Sequence, residues 1–492
     1  MISSIKLSAF GKNDIRGIYG DDVTEDLYYY VGKAYVKYVC ENTGETADEV
    51  WLSVCRDARL HSPSLAKALI KGIVTTGANV VDMGLAPTPL GYYSEFSGID
   101  KSITNNADID GALIITASHN PKEYNGLKMT FNKSSLNETE IKKVKEITQN
   151  LLTQRDLGVR HGLCKEYDIV SNYIEKMRNY FPNVGKGIKV VVDSANATGG
   201  IVGPKLYKEI GCEVIELYSE PDGNFPNHHP NPSDEKTLND LKKKVIEENA
   251  DLGIAYDGDA DRIGVVDSQG NSMSGDKLLL IYALDVIDTL KHRNEVPKIV
   301  SEVKCSQVLY DTINKAGGEA IMCKTGHGYI KSKMKETGAI LAGEMSGHTF
   351  FKDRYYGFDD AIYAGCRIIE IIAKNKQYDN NFKIESLLEP FKHVYTSQEV
   401  RYKCENEFKK PVLEALKEII MSDKKIFGKE YKEVNTLDGM RIIFDDGFAM
   451  IRQSNTEPVF TLRFEAANQE ICEGYQKTLI DELDKTMEKI RG

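Results

Sequence analysis

Long apolar runs are missing from this sequence. No stretch approaches the roughly 18 consecutive apolar residues of a membrane span, and the opening segment MISSIKLSAFGKNDIRG carries no continuous hydrophobic region of the secretory kind. Basic excess is missing too. Lys and Arg number 63 against 74 Asp and Glu, a formal charge of −11, so a general binder of nucleic acid or of an anionic membrane is not expected. An anionic ligand would have to be collected by local clusters of donors. The nine cysteines are scattered singly without one CxxC, which fits thiols in a reducing cytoplasm better than a disulfide frame or a zinc site. Walker A, GxGxxG and HExxH are absent, and so is the GxSxG elbow, which removes the expected signatures of a P-loop kinase, a Rossmann dehydrogenase, a zincin and an α/β-hydrolase. With no low-complexity linker, the domains are expected to pack directly on one another.

What is there is ordinary globular protein: 492 residues, 41% apolar and 28% charged, enough for about three or four domains. Three stretches share one plan. In the first, WLSVC, a helical segment from about Pro63, Gly77 and ANVVDMG lead to GALIITA, which runs straight into SHNP. In the second, IKVVVDSANATGG, a helix, Gly211, CEVIELY and a helix over about 234–249 lead to DLGIAY and then DGDADR. In the third, KIVSEV, a helix, Gly317, GEAIMCKTGH and a helix lead to AILAGEMSGH. Short apolar runs separated by helical spacers predict βαβ units and mostly parallel or mixed sheets. Each third strand ends in the most polar loop of its stretch, where open α/β sheets place ligands. After about residue 390 the pattern changes to a hairpin turning at Asp446-Gly447, a further strand VFTLRFEA and an amphipathic helix over 469–490. The expected fold is therefore three similar α/β domains, at 1–160, 161–270 and 271–390, followed by a smaller α+β domain at 391–492.

The loops offer distinct chemistries. TASHNP sets the Ser118 hydroxyl beside His119 and Asn120, which suits a nucleophile or phosphoryl carrier, though Ser, Asn and Pro are also plain turn residues. Lys128, ten residues on, lies where a loop could fold it back towards Ser118. DGDADR crowds Asp257, Asp259 and Asp261, carboxylates that repel unless a cation neutralises them; all-oxygen ligands suit Mg²⁺ or Ca²⁺. An EF-hand loop does not fit, because its sixth position is Arg262 rather than Gly and its twelfth is Ser268 rather than Glu. GEMSGH offers Glu344, Ser346 and His348 alongside two glycines, a set able to hydrogen-bond vicinal hydroxyls of a sugar. KTGHGYIK adds His327, which alone reads as structural. RQSNTEP gathers Arg452, Ser454, Asn455 and Thr456, donors suited to a phosphate, with a Pro-ended turn as the plain alternative.

Taken in order over nearly the whole chain, FGKNDIRG, TASHNP, DGDADR, GEMSGH and RQSNTEP resemble the α-D-phosphohexomutase superfamily, and within it the phosphoglucomutase/phosphomannomutase group. The resemblance implies four domains around a central cleft, Mg²⁺, and a phosphoserine enzyme primed by glucose or mannose 1,6-bisphosphate that interconverts hexose 1-phosphate and hexose 6-phosphate. It implies that Ser118 carries the phosphoryl group and binds the metal with Asp257, Asp259 and Asp261. It places Arg16, His119 and Lys128 in phosphoryl transfer and proton handling, with Arg262 beside the metal. Lys304 and His327 match substrate-contacting positions, Glu344, Ser346 and His348 the sugar loop, and Arg452, Ser454, Asn455 and Thr456 the phosphate loop. Asn13-Asp14 departs from the commoner DGIRG or YDIRG forms but leaves Arg16 in place. The expected partners are small hexose phosphates, for a cytoplasmic monomer or dimer. Phosphoglucosamine mutase, a non-catalytic sugar-phosphate sensor and an extracellular calcium-binding structural protein are the competing readings, the last disfavoured by the free thiols and the missing signal.

Overall fold

Three times along the chain the first apolar run of a stretch becomes a central strand, with the second run on one side and the third on the other, all parallel. The structure is a computed structural model, and it describes residues 5–153, 160–292, 295–454 and 457–491. Two compact units are formed, each from two segments: Met1–Ser274 with Ser346–Ile384, and Gly275–Met345 with Glu385–Gly492.

In the first unit Trp51–Arg56 lies between Asn79–Leu85 and Gly111–Ile115, and Lys189–Asp193 between Glu213–Leu217 and Leu252–Tyr256. Trp51–Arg56, Lys189–Asp193 and Leu252–Tyr256 are almost continuously buried, as expected of parallel strands covered on both faces, whereas Glu213–Leu217, at the end of its sheet, is half-buried to exposed. Leu52, Val54, Leu113 and Ile115 share a core with Leu27, Val31 and Tyr35 of the helix Glu25–Thr43 and with Val144 of the helix Glu138–Thr153. Burying each such side chain contributes about 1.5–3 kcal/mol. After its third strand each sheet turns back on itself. Tyr124–Phe131 pairs antiparallel with Gly111–Ile115, and Ile263–Asp267 with Leu252–Tyr256. TASHNP and DGDADR are thus the connections of two hairpins at the carboxyl ends of parallel strands. Lys128, expected on a loop folding back towards Ser118, is instead in mid-strand opposite Ile114; the hairpin register fixes where its side chain leaves the sheet.

The second unit repeats the plan with Lys298–Glu302 between Glu319–Cys323 and Leu341–Gly343. It also carries an antiparallel sheet in which Gly447–Gln453 pairs with Met440–Ile443 and with Val459–Ala466. The hairpin turns one residue earlier than expected, about Asp445-Asp446, since the Phe444 amide donates to the Gly447 carbonyl at 2.9 Å. The helices Asn406–Ser422 and Gln469–Arg491 cover this sheet, with Val412, Leu416, Leu479 and Leu483 against Ile442, Ile451, Leu462 and Phe464. Among the described residues no helix is long and apolar enough to cross a membrane. All nine cysteines are free.

Candidate active site

Ser118 is buried (3% exposed) and adopts the left-handed backbone region, φ +48°, unusual for a residue bearing a Cβ. Its amide donates to Thr116 Oγ1 at 2.9 Å, and its hydroxyl donates to Asp257 Oδ2 at 2.6 Å. His119 Nδ1 lies 3.2 Å from the same hydroxyl. The two hairpin connections meet backbone to backbone: a Cβ built on Gly258 would fall 2.3 Å from the Ser118 carbonyl oxygen. Glycine is therefore required at 258 for the acidic loop to reach the serine.

Asp257, Asp259 and Asp261 are all buried, and one oxygen from each lies within 4.8 Å of the others. Lys128 Nζ donates to Asp259 Oδ2 at 2.7 Å and to Asp261 Oδ2 at 2.5 Å. Burial alone would lower the pKa of Lys128, but Asp259 and Asp261 outweigh it and hold the ammonium charged. Asp257 is pushed well above the carboxylate range by burial and then by Asp261 and Asp259. Asp261 ends below that range because Lys128 and His348 overcome its burial. Asp259 also accepts from Thr88 Oγ1 at 2.5 Å. Even so, Asp259 Oδ1 and Asp261 Oδ1 are buried without a hydrogen-bond partner, a costly arrangement that an oxygen-seeking cation would relieve. Three carboxylates and a serine oxygen fit Mg²⁺, which keeps further positions for water or phosphoryl oxygens.

Cationic groups surround the serine. Arg16 forms a two-nitrogen pair with Asp14 Oδ2, at 3.1 Å from Nε and 2.5 Å from Nη2, and reaches the Ala117 carbonyl and Asn120 Oδ1 at 3.2 and 2.9 Å. Asp14 therefore orients the guanidinium of the departed first motif. Arg262 Nε donates to His348 Nε2 at 3.0 Å, while His348 Nδ1 faces Asp359 at 3.0 Å and Asp261 at 3.7 Å. Burial would lower the pKa of His348; Asp261 and the bond to Asp359 raise it. His119 is pulled down to about 2, by burial first and then by Arg262 and Arg16, so it stays neutral at working pH. Ser346 belongs to the same unit, its carbonyl accepting from Ser233 at 3.1 Å.

The remaining predicted residues lie in the second unit. Glu344 is buried (4% exposed) and accepts from the Gly326 amide at 2.7 Å, which ties the sugar loop to the KTGH loop just ahead of the helix His327–Thr337. Lys304 Nζ lies 3.1 Å from Glu399 and 3.8 Å from Glu302; these carboxylates override burial and raise its pKa. Arg452 closes the strand Gly447–Gln453, its Nε donating to Asp438 Oδ2 at 2.9 Å. The same oxygen accepts from the Thr325 amide at 3.0 Å. Ser454 Oγ accepts from the Glu457 amide at 3.1 Å, and Lys409 Nζ donates to the Ser454 and Glu457 carbonyls at 2.7 and 2.8 Å. Asn455 and Thr456 lie outside the described residues.

Thr88, Arg59, Asp359, Asp438 and Lys409 were not singled out from the sequence. Each acts through backbone groups or through a partner distant in the chain, so no local motif announces it. Only Asp359, beside Asp360 after an aromatic pair, carries a weak signal.

Comparison with known proteins gives matches along the chain. Residues 7–155, 171–270 and 274–389 match the phosphoglucomutase/phosphomannomutase alpha/beta/alpha domains I, II and III, and 399–482 the C-terminal domain. A phosphomannomutase/phosphoglucomutase of Pseudomonas aeruginosa is 39% identical over 470 residues, covering 96% of this chain and 94% of the relative. A phosphoglucomutase of Neisseria gonorrhoeae is 37% identical over 481 residues, 96% of each. The solved structure of a phosphoglucomutase/phosphomannomutase family protein from Burkholderia thailandensis superposes with a TM-score of 0.85 at 34% identity, over 98% of both chains.

Proposed function

The chain belongs to the phosphoglucomutase/phosphomannomutase family, and we propose that it interconverts the 1- and 6-phosphates of glucose, mannose or both through a phosphorylated Ser118. The observation that carries this reading is the Ser118 hydroxyl 2.6 Å from Asp257, in a carboxylate cluster with orphaned oxygens. A phosphoryl group on that serine would lie beside a cation site and two guanidinium groups.

Asp257, Asp259 and Asp261 would hold Mg²⁺ together with a serine phosphate oxygen. Bound there, the ion would neutralise charge on the moving phosphoryl group. The chain's own groups do the rest. Arg16, oriented by Asp14, and Arg262, oriented by His348, point donors at phosphoryl oxygens. When the Oγ–P bond of phosphoserine breaks and a bond forms to the sugar hydroxyl, that hydroxyl gives up its proton and the serine oxygen regains one. His119 Nδ1, 3.2 Å from Oγ, is the atom through which the serine proton can pass. The product of this half-reaction is a hexose 1,6-bisphosphate. Return of its other phosphoryl group to Ser118 completes the exchange, and the bisphosphate serves as activator. Glu344, Ser346 and His348 would grip sugar hydroxyls; Lys304 and His327 would meet the substrate; Arg452 and Ser454 would hold the phosphate that is not reacting, with Asn455 and Thr456 carrying the same assignment. A cytoplasmic setting and small hexose phosphates as the only required partners complete the proposal.

Intact-mass and peptide analysis of the purified protein after incubation with glucose 1,6-bisphosphate and Mg²⁺ tests it, joined to a mutase assay on glucose 1-phosphate and mannose 1-phosphate. One phosphate on Ser118 is expected, with turnover lost by several orders of magnitude in Ser118→Ala. Full turnover by that variant would overturn the reading.

A further inference from the structure

We propose that Arg59, locked by Asp57, is the positioning residue that holds Ser118 in line for phosphoryl transfer; this rests on the phosphoserine reading above. Both residues are buried, 1% and 2% exposed, on the segment leaving the strand Trp51–Arg56, and neither is among the residues assigned to metal or sugar; they meet the backbone of the Ser118 connection. Every N–H of the guanidinium is used. Nε donates to Asp57 Oδ2 at 3.0 Å. Nη1 donates to the carbonyls of Pro121 and Tyr124 at 2.6 and 3.0 Å. Nη2 donates to those of Ser118 and Asn120 at 2.9 and 2.6 Å. Four carbonyls within the seven residues from Ser118 to Tyr124 thus converge on a single planar fork.

Asp57 completes the device from the other flank. Its Oδ2 faces the Ala117 amide at 3.4 Å, and its Oδ1 accepts from the Arg59 amide at 3.0 Å and from Ser62 Oγ at 2.5 Å. The ion pair therefore restrains the Ala117 amide, one residue ahead of Ser118, and the carbonyl just after the Ser118 Cα. Ser118 is itself held at a positive φ, a conformation that persists only where its surroundings over-determine it. Burying a guanidinium is unfavourable unless it is paired and fully hydrogen-bonded, and here it is both. With no donor left over, Arg59 cannot contact a phosphate. Its effect is on where the Ser118 oxygen points, so it belongs to the rate of transfer and not to substrate affinity. Lysine cannot replace it, because a point charge with three donors does not reproduce a five-donor planar fork.

The test compares the parent enzyme with Arg59→Lys and the milder Ser62→Ala, which removes one bond to Asp57 and one from Asn125 Nδ2. Each is assayed for kcat and KM on glucose 1-phosphate with Mg²⁺ and saturating glucose 1,6-bisphosphate, with circular dichroism to verify folding and mass analysis of Ser118. Arg59→Lys is expected to lose about 100-fold in kcat, the effect of misplacing a reacting group by about 1 Å, with KM within about threefold of the parent. Ser62→Ala is expected to lose less, also in kcat alone. A folded Arg59→Lys with parental kcat, or with loss confined to KM, overturns the proposal. Should Arg59→Lys fail to fold, Ser62→Ala decides: lower kcat at unchanged KM supports the clamp and parental kcat refutes it. A parent that turns over without ever carrying phosphate on Ser118 overturns the phosphoserine reading and the clamp together, whereas a phosphorylated parent beside an unimpaired variant overturns the clamp alone.

Discussion

Replacing Gly258 by alanine would place a Cβ 2.3 Å from the Ser118 carbonyl oxygen and 3.1 Å from its carbon. Both atoms are backbone, held by Arg59 on one side, so no side chain can swing away. An ordinary contact at that point begins near 3.4 Å, so the two hairpin loops would have to part by about 1.1 Å (3.4 − 2.3). Overpacking of this kind costs about 1–3 kcal/mol, which a chain with these cores survives. The separation falls directly on the line between Ser118 and the acidic cluster, where about 1 Å is worth about 100-fold in rate. Gly258→Ala is therefore expected to remain folded, to lower kcat on glucose 1-phosphate about 100-fold at saturating Mg²⁺, and to slow phosphorylation of Ser118 by the bisphosphate. The matched control is Gly474→Ala, where a Cβ meets nothing within 4 Å and the helix Gln469–Arg491 should gain up to about 1 kcal/mol. A Gly258→Ala enzyme within threefold of the parental kcat would refute the claim that close approach of these loops sets the chemistry.

Chelation of divalent ions should abolish turnover, and Asp259→Asn should raise the Mg²⁺ concentration needed for half-maximal rate by removing a charged ligand; full turnover in excess chelator would reduce the acidic loop to a turn. Arg452→Ala should lower kcat/KM for hexose phosphates by about 10–150-fold, the loss of about 1.5–3 kcal/mol from one charge-assisted bond, and should increase the demand for added bisphosphate; steady-state kinetics with and without the activator decide. Glu95 is buried and its pKa is pushed up to about 7, by burial first, with hydrogen bonds from Thr130 and the Lys133 amide offsetting part of that. Below about pH 4.5 the carboxyl is protonated in both folded and unfolded chains; between 4.5 and 7 only the folded chain keeps the proton, so stability falls as pH rises through that window. Glu95→Gln should therefore gain on the parent by about 3 kcal/mol in denaturant unfolding at pH 8 and by almost nothing at pH 4.5; a difference independent of pH would contradict this.

Much of the architecture could be read from apolar periodicity alone. The strands at 51–56, 189–193 and 298–302 and their partners are short runs of Val, Ile and Leu between helical spacers, and their loops follow the third strand as expected. The acidic loop stood out because three aspartates in five residues repel one another unless positive charge lies among them, and the structure sets the Lys128 ammonium against two of them. The loop placement of Lys128 was wrong because its position depends on hairpin register, which the sequence around it does not specify: in YNGLKMT it could equally face solvent. Arg59 and Asp438 were invisible for a different reason. RDAR and LDG are ordinary surface-like tetrads and triads, and their partners are backbone carbonyls and amides, which every sequence has everywhere. Hydrogen bonds between a side chain and a distant main chain leave no residue-type signature.

Asp438 gives a last consequence. Its one oxygen accepts from both Arg452 and the Thr325 amide, so the inheritance of changes at these places is not independent. A lineage that lost Arg452 first would leave Asp438 as an unmatched charge still restraining the KTGH loop, and later loss of Asp438 would then be tolerated or even favoured. Taken in the opposite order, loss of Asp438 would release both neighbours at once. Such epistasis makes one mutational route passable and its reverse steep; the double-mutant coupling between 438 and 452 reports the epistasis, and the losses in the two single variants report which route is passable.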